Sequence, residues 1–130
     1  MDRHPVEALI EPADAAINRE DFDALMAFYT EDAVLVVKPG VEARGRAGIR
    51  RTFEAIAAHF GHSLHVEQAG LLVLEAGDTA LVLARTVLSA ATLTPTVRNA
   101  TYVYRRCPDG VWRCAIDNSY GHDLLAQAAD

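Results

Sequence analysis

The second half of the chain does most to restrict the fold. From Ser63 onwards it consists almost entirely of strand-length stretches separated by turn residues. "SLHVEQAGLLVLEA" meets "TALVLARTVLSA" across Gly77–Asp78, and "RNATYVYRRC" meets "VWRCAIDNS" across Pro108–Asp109–Gly110. Glycine supplies the positive φ of a tight turn and Pro–Asp initiates one, so two antiparallel hairpins are predicted. The first half reads differently. Val6, Leu9, Ile10, Ala13 and Ile17 fall at helical spacing. Pro12 stands either in the first turn of a helix starting near Glu11 or at a bend in a longer one. Asp21 suits the N-cap of a second helix, "FDALMAFY", which Tyr29 closes. "EDAVLVVKPG" is a short strand ended by Pro39–Gly40. "GRAGIRRTFEAIAAHFG" is a third helix with Ile49, Phe53, Ile56 and Phe60 as its apolar stripe and Gly61 as its stop. The final "YGHDLLAQAAD" reads as a short helix or a frayed tail.

Helices gathered first and long antiparallel strands last define an α+β fold. A long twisted sheet folded around three helices encloses one deep apolar pocket. The 130 residues suit one domain spanning 1–130, and half of them are hydrophobic, enough for a packed core.

Composition narrows the partners. A net charge of −6 with scattered basic residues excludes the electrostatic footprint of a nucleic-acid binder. No apolar run approaches the roughly 18–20 residues of a membrane span, so no membrane partner is predicted. Glu7 and Glu11 interrupt the region where a signal peptide needs an apolar core, so no export is expected. Cys107 and Cys114 are too few for a disulfide framework and would not pair across their turn. Reduced thiols in a cytoplasmic protein are expected. His59, His62 and His65 recur every three residues, but Gly61 breaks the helix between the first two and no HExxH or paired-cysteine pattern is present. The absence of a Gly-rich phosphate loop, nucleophile elbow or dinucleotide fingerprint completes the expectation of no metal and no cofactor.

Four stretches, "INREDFDALMAFYTEDAVLVVKPG", "GRAGIRRTFEAI", "GDTALVLARTVL" and "YVYRRCPDGVWRCAIDNSYG", resemble in order and content the nuclear transport factor 2-like superfamily. This superfamily includes ketosteroid isomerases and SnoaL-like polyketide cyclases. The first and last stretches look most like the SgcJ/EcaC-type branch. The resemblance implies a cone: a strongly curved mixed or antiparallel sheet around the helices, with a pocket open at one end and homodimers common. The isomerase groups do not carry over. Val37 and Lys38 stand at the position of the carboxylate base, Ala13 at that of the oxyanion-binding tyrosine, and Asn99, Thr101 or Tyr102 at that of the partner acid. Proton abstraction beside a carbonyl needs a positioned base and an oxyanion donor, so steroid isomerisation by that route is not expected.

Other residues are then the candidates. Asp117 is the candidate acid or base at the end of the last strand, and Asn118 a candidate for orienting a ligand. In a regular strand Trp112, Cys114, Ile116 and Asn118 share the apolar face, which places Asn118 inward. An ungapped match to the isomerases at the turn glycine points to Asp117 inside, and a bulge would also exchange the two. Arg85 interrupts an apolar strand, so it is either an anchor for a substrate carboxylate or an outer-face residue at a dimer interface. Tyr29, Tyr102, His59 and Trp112 complete the ligand-binding candidates. Tyr102 and Tyr104 share one strand face, and so do Arg98 and Arg106. The sequence thus predicts a protein binding an apolar or aromatic small molecule, with acid–base chemistry of the isomerase, cyclase or hydratase type, or else a non-catalytic binding or dimerisation module.

Overall fold

A computed structural model describes residues 4–128. His4 caps the first helix, its Nδ1 accepting from the Val6 N–H at 3.0 Å, and α1 runs Pro5–Asn18 with Pro5 in the first turn, where no backbone donor is needed. Pro12 lies inside it, so the longer of the two expected helices forms. The second helix is shorter than its spacing predicts. α2 spans Phe22–Met26, capped by the Asp21 carboxylate on the Ala24 N–H at 3.1 Å, and Tyr29 opens strand β1, Tyr29–Lys38, instead of closing the helix. Tertiary pairing overrides helical propensity here. The Phe28 carbonyl accepts from Cys114 N–H at 2.7 Å, and the Arg46 guanidinium holds the Tyr29 carbonyl at 2.7 and 3.0 Å.

Pro39–Gly40 turns the chain without ending the pairing, giving a strand the sequence did not announce, β2, Val41–Arg44. α3, Gly45–His59, follows, and Gly61 at φ +61° marks its stop. The long strands are β3, His65–Ala76; β4, Thr79–Ala90; β5, Leu93–Arg106; and β6, Trp112–Asn118. β5 begins before the predicted stretch, so β4 and β5 also form a hairpin. A 3-10 turn at Gly121–Asp123 leads into a short fourth helix, α4, Leu124–Ala128, the helical one of the two expectations for the final stretch. The last two residues of the predicted tail lie outside the described ones.

The six strands form one mixed, open sheet in the order β2-β1-β6-β5-β4-β3, antiparallel throughout except between β1 and β6. Strand alternation divides its faces. On β4, Ala80, Val82, Ala84 and Thr86 are buried, while Leu81, Leu83 and Arg85 point outward and are exposed. α1 lies against β3, and α3 against β1 and β2. Asn18 latches the end of α1 to the start of β3. Its amide donates to the Val66 carbonyl at 2.9 Å and accepts from the Val66 N–H at 2.7 Å. α1 is thereby held over the inner face, and a space is left between the helices and the sheet.

Candidate active site

A cavity of about 250 Å³ lies between α1, α3 and the inner sheet face. Its wall is mostly apolar, with Ile10, Ile17, Phe53, Ile56, Phe60 and Leu88 among its residues. The polar groups it admits are few: Asp14, Tyr29, Thr86, Arg98, Tyr102, Tyr104, Asp117, Ser119 and Tyr120. An apolar chamber with a few polar groups is the usual design of a small-molecule site.

β6 decides which of its two terminal polar residues enters. Val103 pairs with Ile116 and Tyr104 with Cys114, so Ala115 is an extra, unpaired residue. This β-bulge inverts the alternation. Trp112 and Cys114 point inward before it, Ile116 turns outward at 43% exposure, and Asp117 turns into the cavity. Asn118 instead shapes the turn that follows. Its Oδ1 accepts from the N–H groups of Tyr120 and Gly121, both at 3.1 Å, and its amide donates to the Gly121 carbonyl at 3.2 Å and Thr101 Oγ1 at 3.3 Å.

Within the cavity the Tyr29 hydroxyl donates to Asp117 Oδ2 at 2.6 Å. Oδ1 has no protein partner among the described residues. Burial pushes the Asp117 carboxyl above the ordinary carboxylate range, and the Tyr29 hydrogen bond opposes this. Burial and then the Asp117 charge raise Tyr29, which stays protonated and remains a donor. A second polar group runs along the wall. Gln68 donates to Asp14 Oδ2 at 2.9 Å and accepts from Thr86 Oγ1 at 3.0 Å, and Thr86 Oγ1 meets the Tyr102 hydroxyl at 3.1 Å. Burial lifts Asp14 to about 6, with the Gln68 bond opposing and the charges of Asp117 and Glu11 adding. Two carboxyls in one chamber therefore titrate above their usual range, as proton transfer near neutral pH requires.

Of the residues expected from sequence, Tyr29, Tyr102 and Asp117 meet at this cavity. Asn118 does not line it. Arg85 lies exposed on the outer sheet face, in a shallow cleft with Gly70, Asn99 and His122, because its neighbours Ala84 and Thr86 take the inward positions. His59, exposed at the end of α3, packs edge-on against Phe60 at 4.8 Å and lines only a surface cleft beside Arg51 and Glu42. Trp112 is buried away from the cavity lining, between His4 at 5.4 Å and the Arg106 guanidinium at 5.7 Å. Ala13 and Val37, at isomerase positions, do reach the cavity but carry no proton-exchanging group. Asp14, Gln68 and Arg46 were missed. Asp14 had a signal, because it stands at i+4 from Ile10 and i−3 from Ile17 in the apolar stripe of α1. Gln68 and Arg46 had none, since their roles depend on partners far along the chain.

The fold has counterparts. The model of the SnoaL-like domain matches residues 6–114. Among solved structures, an NTF2-like protein of unknown function from Pseudomonas putida superposes with a TM-score of 0.76 at 23% identity, over 86% of this chain and 80% of that one. An NTF2-like protein with a cystatin-like fold from Novosphingobium aromaticivorans gives 0.75 at 24% identity, over 98% and 87%. A candidate dehydratase of the NTF2-like family from Streptomyces avermitilis gives 0.69 at 25% identity, over 87% and 93%. No match is found among curated proteins.

Proposed function

We propose that this chain, which belongs to the SnoaL-like family, binds a small apolar or aromatic molecule and moves a proton on it with its own side chains, Asp117 being the acid–base group. The observation that carries the reading is the Asp117 carboxyl, enclosed in an apolar cavity and held by the Tyr29 hydroxyl at 2.6 Å. Tyr29 fixes one oxygen, so the other is presented to whatever occupies the cavity. A carboxyl with a raised pKa keeps its proton closer to neutrality and can return it to a substrate carbon or oxygen after removing one. Isomerisation, cyclisation and dehydration or hydration all contain such a step, and the dehydratase description of the Streptomyces avermitilis protein is in keeping with it. Arg46 serves this arrangement from outside, because its grip on the Tyr29 carbonyl holds the backbone from which the phenol projects.

The test uses deuterium exchange into the activated C–H positions of enolisable benzylic ketones such as 2-tetralone, followed by NMR in deuterated buffer. The protein accelerates exchange over buffer, and Asp117→Asn lowers that acceleration by about 10²–10⁴-fold. Exchange at the buffer rate in the native protein, or full exchange in Asp117→Asn, removes the assignment.

A second observation supports self-association. Leu72 pairs with Leu83 and Leu74 with Leu81, and all four are exposed on the outer sheet face. We propose that a second copy of the chain covers this face.

A further inference from the structure

Among the described residues the cavity wall carries one cationic side chain, Arg98, and the acid–base reading gives it no task. Arg98 stands on β5 opposite Thr86, whose buried side chain marks that register position as inward, and it lines the cavity. Its guanidinium lies over the Tyr120 ring, 4.3 Å from the centroid, and pairs with no carboxylate among the described residues. Stacking fixes the plane of a guanidinium and leaves its in-plane N–H groups free to donate. Tyr120 is itself held on two sides, by its N–H on Asn118 and its hydroxyl on the Val37 carbonyl at 3.3 Å. A half-buried, pre-oriented fork with no carboxylate partner among the described residues suits a bidentate carboxylate.

Its place relative to the proposed acid–base group sets the ligand's shape. Asp117 pairs in register with Tyr102, and Tyr102 is four residues along β5 from Arg98. That separation is about 13 Å of strand. The lining between the two is apolar for the most part, and the volume falls below the roughly 300–1,000 Å³ of sites for drug-sized ligands.

We propose that Arg98 anchors a ligand's carboxylate, so that the cavity takes a small, elongated apolar acid whose other end lies against Asp117. The carboxylate anchor sought in Arg85 is thus moved to the inner face of the neighbouring strand. The orientation of the reacting end rests on the acid–base reading given above; the anchor does not, and the two are tested apart.

The probes are 4-phenylbutanoate and its neutral amide, titrated calorimetrically into the native protein, Arg98→Met and Arg98→Lys at pH 7.5. The native protein binds the carboxylate at least tenfold more tightly than the amide, as expected for about 1.5 kcal/mol or more from a charged hydrogen-bonded pair. Arg98→Met removes that preference, and Arg98→Lys keeps part of it. Equal binding of acid and amide by the native protein, a preference that survives in Arg98→Met, or no binding of the acid up to about 1 mM overturns the proposal. The last two outcomes assign Arg98 to packing on Tyr120 alone. Loss of ketone exchange in Asp117→Asn is read separately, so either assignment can fail while the other stands.

Discussion

At the scale of single residues, Asp14 is the group whose titration is easiest to read. Folding raises it from 3.8 to about 6, first through burial, with the Gln68 hydrogen bond working the other way. A carboxyl that holds its proton more tightly when folded favours the native state below its unfolded pKa. That advantage is lost as pH rises through the window between the two values, here about 4 to 6. Asp32 and Asp109 have the opposite slope, because Thr30 and Arg105 lower the first and Arg113 the second. Their contributions cancel when the native protein is compared with Asp14→Asn, which keeps an oxygen for Gln68 but cannot ionise. The melting temperature of the variant should gain on that of the native protein by roughly 3–8 °C between about pH 4 and pH 7. A gap that stays constant with pH shows that Asp14 titrates as an ordinary exposed carboxylate. The same residue shows what a sequence reveals at this scale. A polar side chain in an apolar stripe can be seen at Asp14, whereas the value of its pKa depends on Gln68, on a strand 54 positions away.

Among the elements, β6 and the turn after it carry the site. Periodicity gave the strand and its end at Asn118, yet it placed Asn118 inward, because alternation assumes one residue for one. The bulge at Ala115 breaks that assumption and is invisible locally, since it is set by how β5 registers against β6. Tyr29 was misplaced for a related reason: helical spacing continued through it, but pairing of Phe28 and Tyr29 with distant partners took the chain out of the helix. The turn itself is held by a close approach. Gly121 has φ +55°, and a Cβ there would lie 2.0 Å from the Asn99 carbonyl oxygen, a backbone atom in the neighbouring strand that cannot swing aside. Gly121→Ala should therefore cost about 2–4 kcal/mol of unfolding free energy in a denaturant titration. Asn118→Ala, which removes side-chain hydrogen bonds but introduces no overlap, should cost about 1–2 kcal/mol. The reverse order of the two costs shows that the hydrogen bonds of Asn118, and not the passage of Gly121 over β5, hold Tyr120 beneath Arg98.

Across the whole molecule, the order of helices and strands was enough to reach an α+β fold, because helical and strand periods are local properties of the chain. The parallel contact of β1 with β6 was not legible, since it joins segments far apart in the chain. That arrangement leaves the sheet with two unlike faces. The inner one is covered by α1 and α3, while the outer one exposes Leu72 and Leu74 at 53%, Leu83 at 41%, Leu81 at 37% and Val97 at 57%. Such a strip is self-complementary under a two-fold axis, which is the simplest way for one surface to cover itself. A stable pairing needs roughly 800 Å² from each partner, which a face built from three long adjacent strands can supply. Light scattering at micromolar concentration should thus return twice the 14.1 kDa chain mass. Leu83→Glu, placed at the centre of the strip, should return a single chain with unchanged far-ultraviolet circular dichroism, because burying one carboxylate per copy against leucines costs more than a contact of this size yields. A native protein that stays monomeric, or a Leu83→Glu variant that stays dimeric, assigns the leucines to the solvent face of a monomer or moves the interface elsewhere.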